Sequence, residues 1–266
     1  MSRGILVVDD DQVILNLTEI MLKKLGYNVF TAKSGRDAIV KTIEMNPDLV
    51  LMDINLGEAF TGIDAAIYIY HAFSTPVVFL TGSIDENTVE KSKRAEPFGF
   101  INKPFDSKDL LSALEIAFNS YSITSRLKGI KKKKNYKSLM LMDNGVIMIS
   151  EDGNIIFMNP YAERISGWKY GEAFMKPVNR VIAIKDRLKK ERVSVGDTLT
   201  EQIVWNFVTD GNFSTLDKEF TFLSRDGKKI HIKMRVYSFR DSYNDFIGHF
   251  LYLEQISDKE HRFKNI

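Results

Sequence analysis

Cysteine is absent from the chain. That excludes disulfides, thiolate metal sites, a cysteine nucleophile and a cysteinyl flavin adduct. Long apolar runs are also missing: none approaches the ~20 residues that a membrane span requires. The N-terminus, MSRG, has no signal-peptide shape. The expectation is a cytoplasmic location without membrane insertion. No long internal repeat is present, which excludes solenoid architectures.

What is there suits globular folding. Hydrophobic residues make up 44% and charged residues 27% of 266 residues, a length that suggests two domains. The formal charge of +2 hides an asymmetry. Residues 1–118 carry 11 basic and 17 acidic groups; residues 119–137 carry 7 basic groups and no acid; residues 138–266 carry 19 and 18. A boundary at the basic stretch follows.

The first half alternates short apolar runs with amphipathic stretches. GILVVDD (4–10) precedes Val13, Ile14, Leu17, Ile20, Met21 and Leu25 at helical spacing, stopped by Gly26. Asn28–Ala32 reads as a strand and Asp37–Met45 as a helix ended by Asn46-Pro47. PDLVLMDIN (47–55) is a strand buried on both faces that stops on Asp53. A helix from about Gly62 to Phe73, a strand TPVVFLTG (75–82), a helix from about Asp85 to Ala95, a strand GFINK (99–103) and a helix from Ser107 to about Tyr121 complete the series. Strict alternation requires a parallel sheet with helices on both faces. Four strand ends then bring Asp9, Asp10, Asp53, Thr81 and Lys103 to one sheet edge, where ligands of open α/β sheets bind. Three clustered carboxylates repel unless a cation sits among them. Mg²⁺ suits such a group, and a hydroxyl with an ammonium suits phosphoryl oxygens.

These residues resemble the receiver domain of two-component response regulators. The matching motifs are VVDD (7–10), LMDIN (51–55), FLTG (79–82) and NKPF (102–105), in the family's order and spacing. The resemblance implies that Asp53 accepts a phosphoryl group from a histidine kinase. It implies Mg²⁺ ligation by Asp10, Asp53 and the Asn55 carbonyl, with Asp9 acting through water. Thr81 and Lys103 would hold phosphoryl oxygens, Thr81 and Phe100 would form the conformational switch, and Lys103-Pro104 would be cis. Asn55 and Ser83 would flank the path of hydrolytic water in slow self-dephosphorylation. The loop LGEAFTG departs from the family by lacking a proline and placing Gly62 one residue late. Gly82 stands where alanine is usual. Each residue also has a bland reading: Asp10 or Asp11 as the cap of the first helix, Thr81 as a cap, Lys103 as a solvated lysine.

In the connector, Leu114, Phe118, Tyr121 and Leu127 could continue the last helix as a narrow apolar stripe. Lys131–Lys134 suits an anionic surface or nucleic acid, but no groove-reading motif accompanies it. A solvated linker is the favoured reading and nucleic-acid binding the disfavoured one.

The second half reads as a hairpin, GVIMIS (145–150) and Ile155–Met158 about the turn EDGN. Helical pieces follow at Tyr161–Trp168 and near Glu172. A basic loop spans Val178–Arg192, and Leu199–Phe207 is ambiguous. Strands Lys218–Leu223, Lys229–Phe239 and Phe246–Gln255 close the chain. This α+β layout resembles the PAS family over about 138–257, through GVIMISEDGNIIFMNPYAE (145–163), SGW (166–168) and the RDGK-centred strands. The resemblance admits haem, flavin, a metabolite or no ligand, so the PAS cofactor stays unknown. His231, His249 and His261 lie on strands or the tail; His231 shares a face with Lys233 and Arg235, which favours a surface role. Trp168 is assigned to core packing and Asn159 to bracing a turn.

The reading is a five-stranded, doubly wound parallel receiver of flavodoxin type (1–120), a basic linker or helix extension (121–137), a five-stranded antiparallel PAS domain (138–258) and a tail (259–266). The chain carries no DNA-binding helix-turn-helix, cyclase or kinase signature. Expected partners are a histidine kinase and a second copy or another PAS or receiver protein. The alternatives are a PAS-based ligand sensor and nucleic-acid binding through the linker.

Overall fold

A computed structural model describes residues 2–82, 90–127, 137–185, 216–240 and 245–256. The chain divides into two compact units, 1–138 and 139–266.

The first unit is a parallel sheet of β1 (Gly4–Val8), β2 (Asn28–Ala32), β3 (Leu49–Asp53), β4 (Val77–Thr81) and β5 (Phe100–Asn102), in the order β2-β1-β3-β4-β5. Every residue of β3 and β4 is buried, which explains their unbroken apolar sequence. Ile5, Val7, Leu49, Leu51, Val78 and Leu80 pack against α1 (Gln12–Lys24) and α4 (Ser107–Leu127). The α2 (Gly35–Met45) and α3 (Gly62–Phe73) helices pack on one another. Each fully buried aliphatic side chain contributes about 1.5–3 kcal/mol.

Local chemistry sets the helix ends. The Asp11 carboxylate accepts from Val13 N at 2.7 Å and caps α1. Asp10, the other candidate cap, is left exposed at the sheet edge. Ser34 caps α2, which ends at Asn46 in the left-handed region, just before Pro47. Thr61 and Asp64 form a capping box on α3. Of the helix expected over 85–95, residues 85–89 lie outside the described residues, as does Ser83; residues 90–92 are helical and Lys93–Ala95 is a 3-10 turn.

The α4 helix runs six residues beyond the expected Tyr121. The Tyr121 hydroxyl donates to Ser74 O at 2.6 Å, and its ring meets Phe98 edge-on. Of the apolar stripe, Leu114 and Phe118 are buried, whereas Leu127 is 82% exposed and does not share their face. Lys131–Lys134 lies outside the described residues.

The second unit is an antiparallel sheet in the order β7-β6-β11-β10-β9-β8. The five expected strands are present: β6 (Gly145–Ser150), β7 (Ile155–Met158), β9 (Leu216–Leu223), β10 (Lys229–Arg240) and β11 (Phe246–Gln255). A three-residue edge strand, β8 (Ala183–Lys185), adds a sixth inside the stretch expected as loop. Short helices α5 (Lys137–Leu141), α6 (Pro160–Ser166), α7 (Tyr170–Ala173) and α8 (Val178–Val181) accompany it. Gly153 and Gly227 take positive φ in the turns EDGN and RDGK. The ambiguous 199–207 and His261 lie outside the described residues.

Among the described residues, no helix is long and apolar enough to cross a membrane.

Candidate functional site

The sheet order reverses between β1 and β3, so their carboxyl ends open a crevice. Asp9 follows β1, Asp53 ends β3, Thr81 ends β4 and Lys103 follows β5. Asp9, Asp53 and Thr81 are buried. Carboxylate oxygens of Asp9, Asp10 and Asp53 all lie within 4.8 Å of one another. Lys103 Nζ donates to Asp9 Oδ2 at 2.6 Å and sits 3.0 Å from Asp53 Oδ1. Lys103 N donates to Thr81 O at 2.7 Å, and the Lys103-Pro104 bond is cis. Backbone Asp11 N donates to Asp9 Oδ1, which fixes that carboxylate.

Three acids against one ammonium leave a negative excess. Burial raises the Asp53 pKa; Lys103 opposes this, and Asp9 and Asp10 add to it. Burial pushes Lys103 down, but its bonds to Asp9 and Asp53 outweigh that and raise it. Both groups therefore hold protons more tightly than usual, as a site of net negative charge must. Hard oxygen donors with unbalanced charge fit a divalent cation such as Mg²⁺.

Phe100, at the start of β5, is 36% exposed, with its ring 5.7 Å from that of Phe79. Asn55 is exposed in the loop after β3. Among the described residues, a Cβ added at Gly82 would meet nothing within 4 Å.

Two close approaches in the loop LGEAFTG, at Gly62 and Gly57, were not foreseen from the sequence. A Cβ on Gly62 would lie 1.8 Å from Asp53 O, so the first turn of α3 presses on the strand that carries the acid. Gly57, at φ +63°, would bring a Cβ within 3.0 Å of Asp10 Oδ2. The available signal for Gly62 was a glycine directly after a capping threonine, where a side chain is ordinarily tolerated.

In the second unit, Asn159 is fully buried. Its Oδ1 accepts from Val146 N and Ala162 N, and its Nδ2 donates to Leu139 O and Asn144 O. It braces the turn into α6. Trp168 packs against the core beneath the Arg225 guanidinium, 4.3 Å from its ring. His231 is half-buried beside Thr221.

His249 is 2% exposed on the strand face of Leu251 and Leu253. Ser238 Oγ lies 2.9 Å from its Nδ1, and its Nε2 has no hydrogen-bond partner among the described residues. Burial, then the Arg240 charge, lowers its pKa to about 4. Unfolding frees the ring to protonate near its ordinary pKa of about 6.5. The neutral ring's contribution is thus complete above about pH 6.5 and is lost as pH falls toward 4. Stability of the second unit is expected to drop by up to about 3 kcal/mol over that window. Urea melts at several pH values would show it, with a flatter profile for His249→Asn.

The response regulator receiver domain model matches residues 5–115, and the PAS fold model matches 137–255. Among solved structures, the chain is similar to the signal receiver domain of a modulated diguanylate cyclase from Desulfovibrio desulfuricans G20. That match has 30% identity, covers 47% of this chain and 99% of the other, and has a TM-score of 0.45. The N-terminal domain of a response regulator/sensory box/GGDEF three-domain protein from Carboxydothermus hydrogenoformans matches at 33% identity, with 46% and 98% covered and a TM-score of 0.42. Chemotaxis protein CheY4 of Vibrio cholerae matches at 27% identity, with 43% and 98% covered and a TM-score of 0.41.

Proposed function

Because this chain belongs to the response regulator receiver family, with a PAS fold after its receiver, we propose that it is a phosphorelay protein charged on Asp53 by a histidine kinase. An Asp53 Oδ attacks phosphorus; the phosphorus–nitrogen bond of the donor phosphohistidine breaks, and an acyl phosphate forms. Asp9, Asp10, Asp53 and the Asn55 carbonyl would hold Mg²⁺, which neutralises phosphoryl charge when bound. Lys103 leaves its carboxylate partners to meet a phosphoryl oxygen, and the Thr81 hydroxyl donates to another. Phe100 then turns inward, changing the β5–α4 face. Water later returns Asp53 to its free carboxylate and releases phosphate. The receiver catalyses only these steps on itself, and its output is protein contact.

The observation that supports this most is the ammonium of Lys103 bridging Asp9 and Asp53 in a three-carboxylate cluster. The test is acetyl phosphate with and without Mg²⁺, read by mass. One phosphoryl group per chain, on Asp53 and only with the metal, is expected. Uptake in chelator, or on another residue, would sink the reading.

One observation favours a second reading, in which the PAS unit senses a small ligand: the buried Nε2 of His249, which meets no hydrogen-bond partner among the described residues. Such a group in a native fold calls for a partner. A non-denaturing mass spectrum is then expected to show an adduct that His249→Phe loses; identical bare masses for both count against it.

A further inference from the structure

We propose that two copies of this chain pair, antiparallel, through the outer face of α4. Leu110, Leu114, Ala117 and Phe118 bury one side of this helix. At 3.6 residues per turn, Ile116, Ile123 and Leu127 fall on the opposite side. They are 62%, 60% and 82% exposed. Their spacing, with Ser120 between, is that of a helix–helix seam with a 3.5-residue period. The stripe has no part in holding α4 to its sheet.

Three features point to a second copy as the occupant. From Ile116 to Ser125 the sequence has no charged residue, so identical helices meet there without like-charge repulsion. Ser112 and Ser120 on the same side are small and admit close approach. Lys108 and Asp109 in the first turn of the helix offset one another, which leaves Glu115 in its first half and Arg126 in its last turn. In antiparallel packing Glu115 of each helix comes beside Arg126 of the other. In that register Ile116 meets Leu127 of the second copy, and Ser120 meets its Ile123. The segment 119–127 lies past the last buried residue of the helix, Phe118. It continues α4 and is held by Tyr121 against Ser74 and Phe98, and pairing secures the turns beyond.

This deepens the proposed output, protein contact, by naming a second copy as the partner, yet does not depend on phosphoryl chemistry. The full chain would be sedimented over roughly 1–100 μM, with and without acetyl phosphate. The wild type is expected to approach a dimer mass, and Ile123→Lys to weaken association at least about tenfold. That variant should still take up one phosphoryl group, which shows its receiver folded. The chain has no native cysteine, so introduced thiols report contacts cleanly. Ile116→Cys with Leu127→Cys should form a covalent dimer on oxidation. Leu127→Cys alone should not, because antiparallel packing separates the two copies by about 16 Å. A monomeric wild type in both conditions, an Ile123→Lys dimer of wild-type strength, or self-crosslinking of Leu127→Cys would each overturn the proposal. Expected pairing without phosphoryl uptake would overturn only the phosphorelay reading.

Discussion

Asp53→Asn is expected to abolish phosphoryl uptake from acetyl phosphate while stabilising the metal-free first unit by about 1 kcal/mol. The loss of uptake is chemical, since an amide oxygen is a poor nucleophile and its phosphoryl adduct would not persist. The gain in stability comes from the cluster's charge. Burial and the neighbouring Asp9 and Asp10 disfavour the ionised Asp53, and Lys103 offsets them incompletely. Asparagine keeps the shape and removes the charge. Lys103 retains Asp9, to which it already donates at 2.6 Å. The size is kept small because the site is partly open to water, which screens both attraction and repulsion. Far-UV circular dichroism during urea unfolding in chelator would measure it. A lower midpoint than wild type would mean that the Lys103 attraction exceeds burial and repulsion together.

Gly62→Ala is expected to destabilise the first unit by roughly 2–4 kcal/mol. Its added methyl would sit 1.8 Å from Asp53 O and 3.2 Å from Ile54 Cα. Both are backbone atoms of the strand end and the loop, so no side chain can turn aside. Relief requires α3 to lift or Asp53 to move. α3 is held by its Thr61–Asp64 capping box and buried along most of its length, so part of the strain falls on Asp53. Mg²⁺-dependent phosphoryl uptake should slow in parallel. Both tryptophans, at 168 and 205, lie in the second unit. Their fluorescence transition should stay put while the circular dichroism transition shifts to lower urea. A wild-type midpoint for the variant would show that the close approach at Gly62 imposes no constraint.

The sequence was most informative where a single interaction type dominates. Apolar runs ending on Asp9, Asp53, Thr81 and Lys103 specify both a strand and the edge its last side chain occupies, because parallel strands bury both faces. Motif spacing therefore carried the parallel fold and the membership of the acid–lysine cluster. The antiparallel strands of the second unit were legible from alternation, as at Ile230, Ile232, Met234 and Val236.

Other features depend on contacts between residues distant in sequence. Whether Asp10 or Asp11 capped α1 was open from sequence, since adjacent acids have the same local chemistry; chain direction at the end of β1 made Asp11 the cap. Leu127 was placed on one narrow apolar stripe with Leu114 and Phe118, yet helical phase beyond Phe118 sets it apart from them, exposed. His249 looked like any strand histidine until its face was fixed by pairing with β6 and β10. The place of Gly62 directly after the capping Thr61 hints at a crowded first turn, but nothing local names Asp53, nine residues away, as the neighbour. The sequence alone thus determined which chemical groups gather at the sheet edge, because strand periodicity and motif order leave little freedom. Tertiary structure alone decided which neighbours those groups meet and at what distance, because packing and charge balance depend on every element at once.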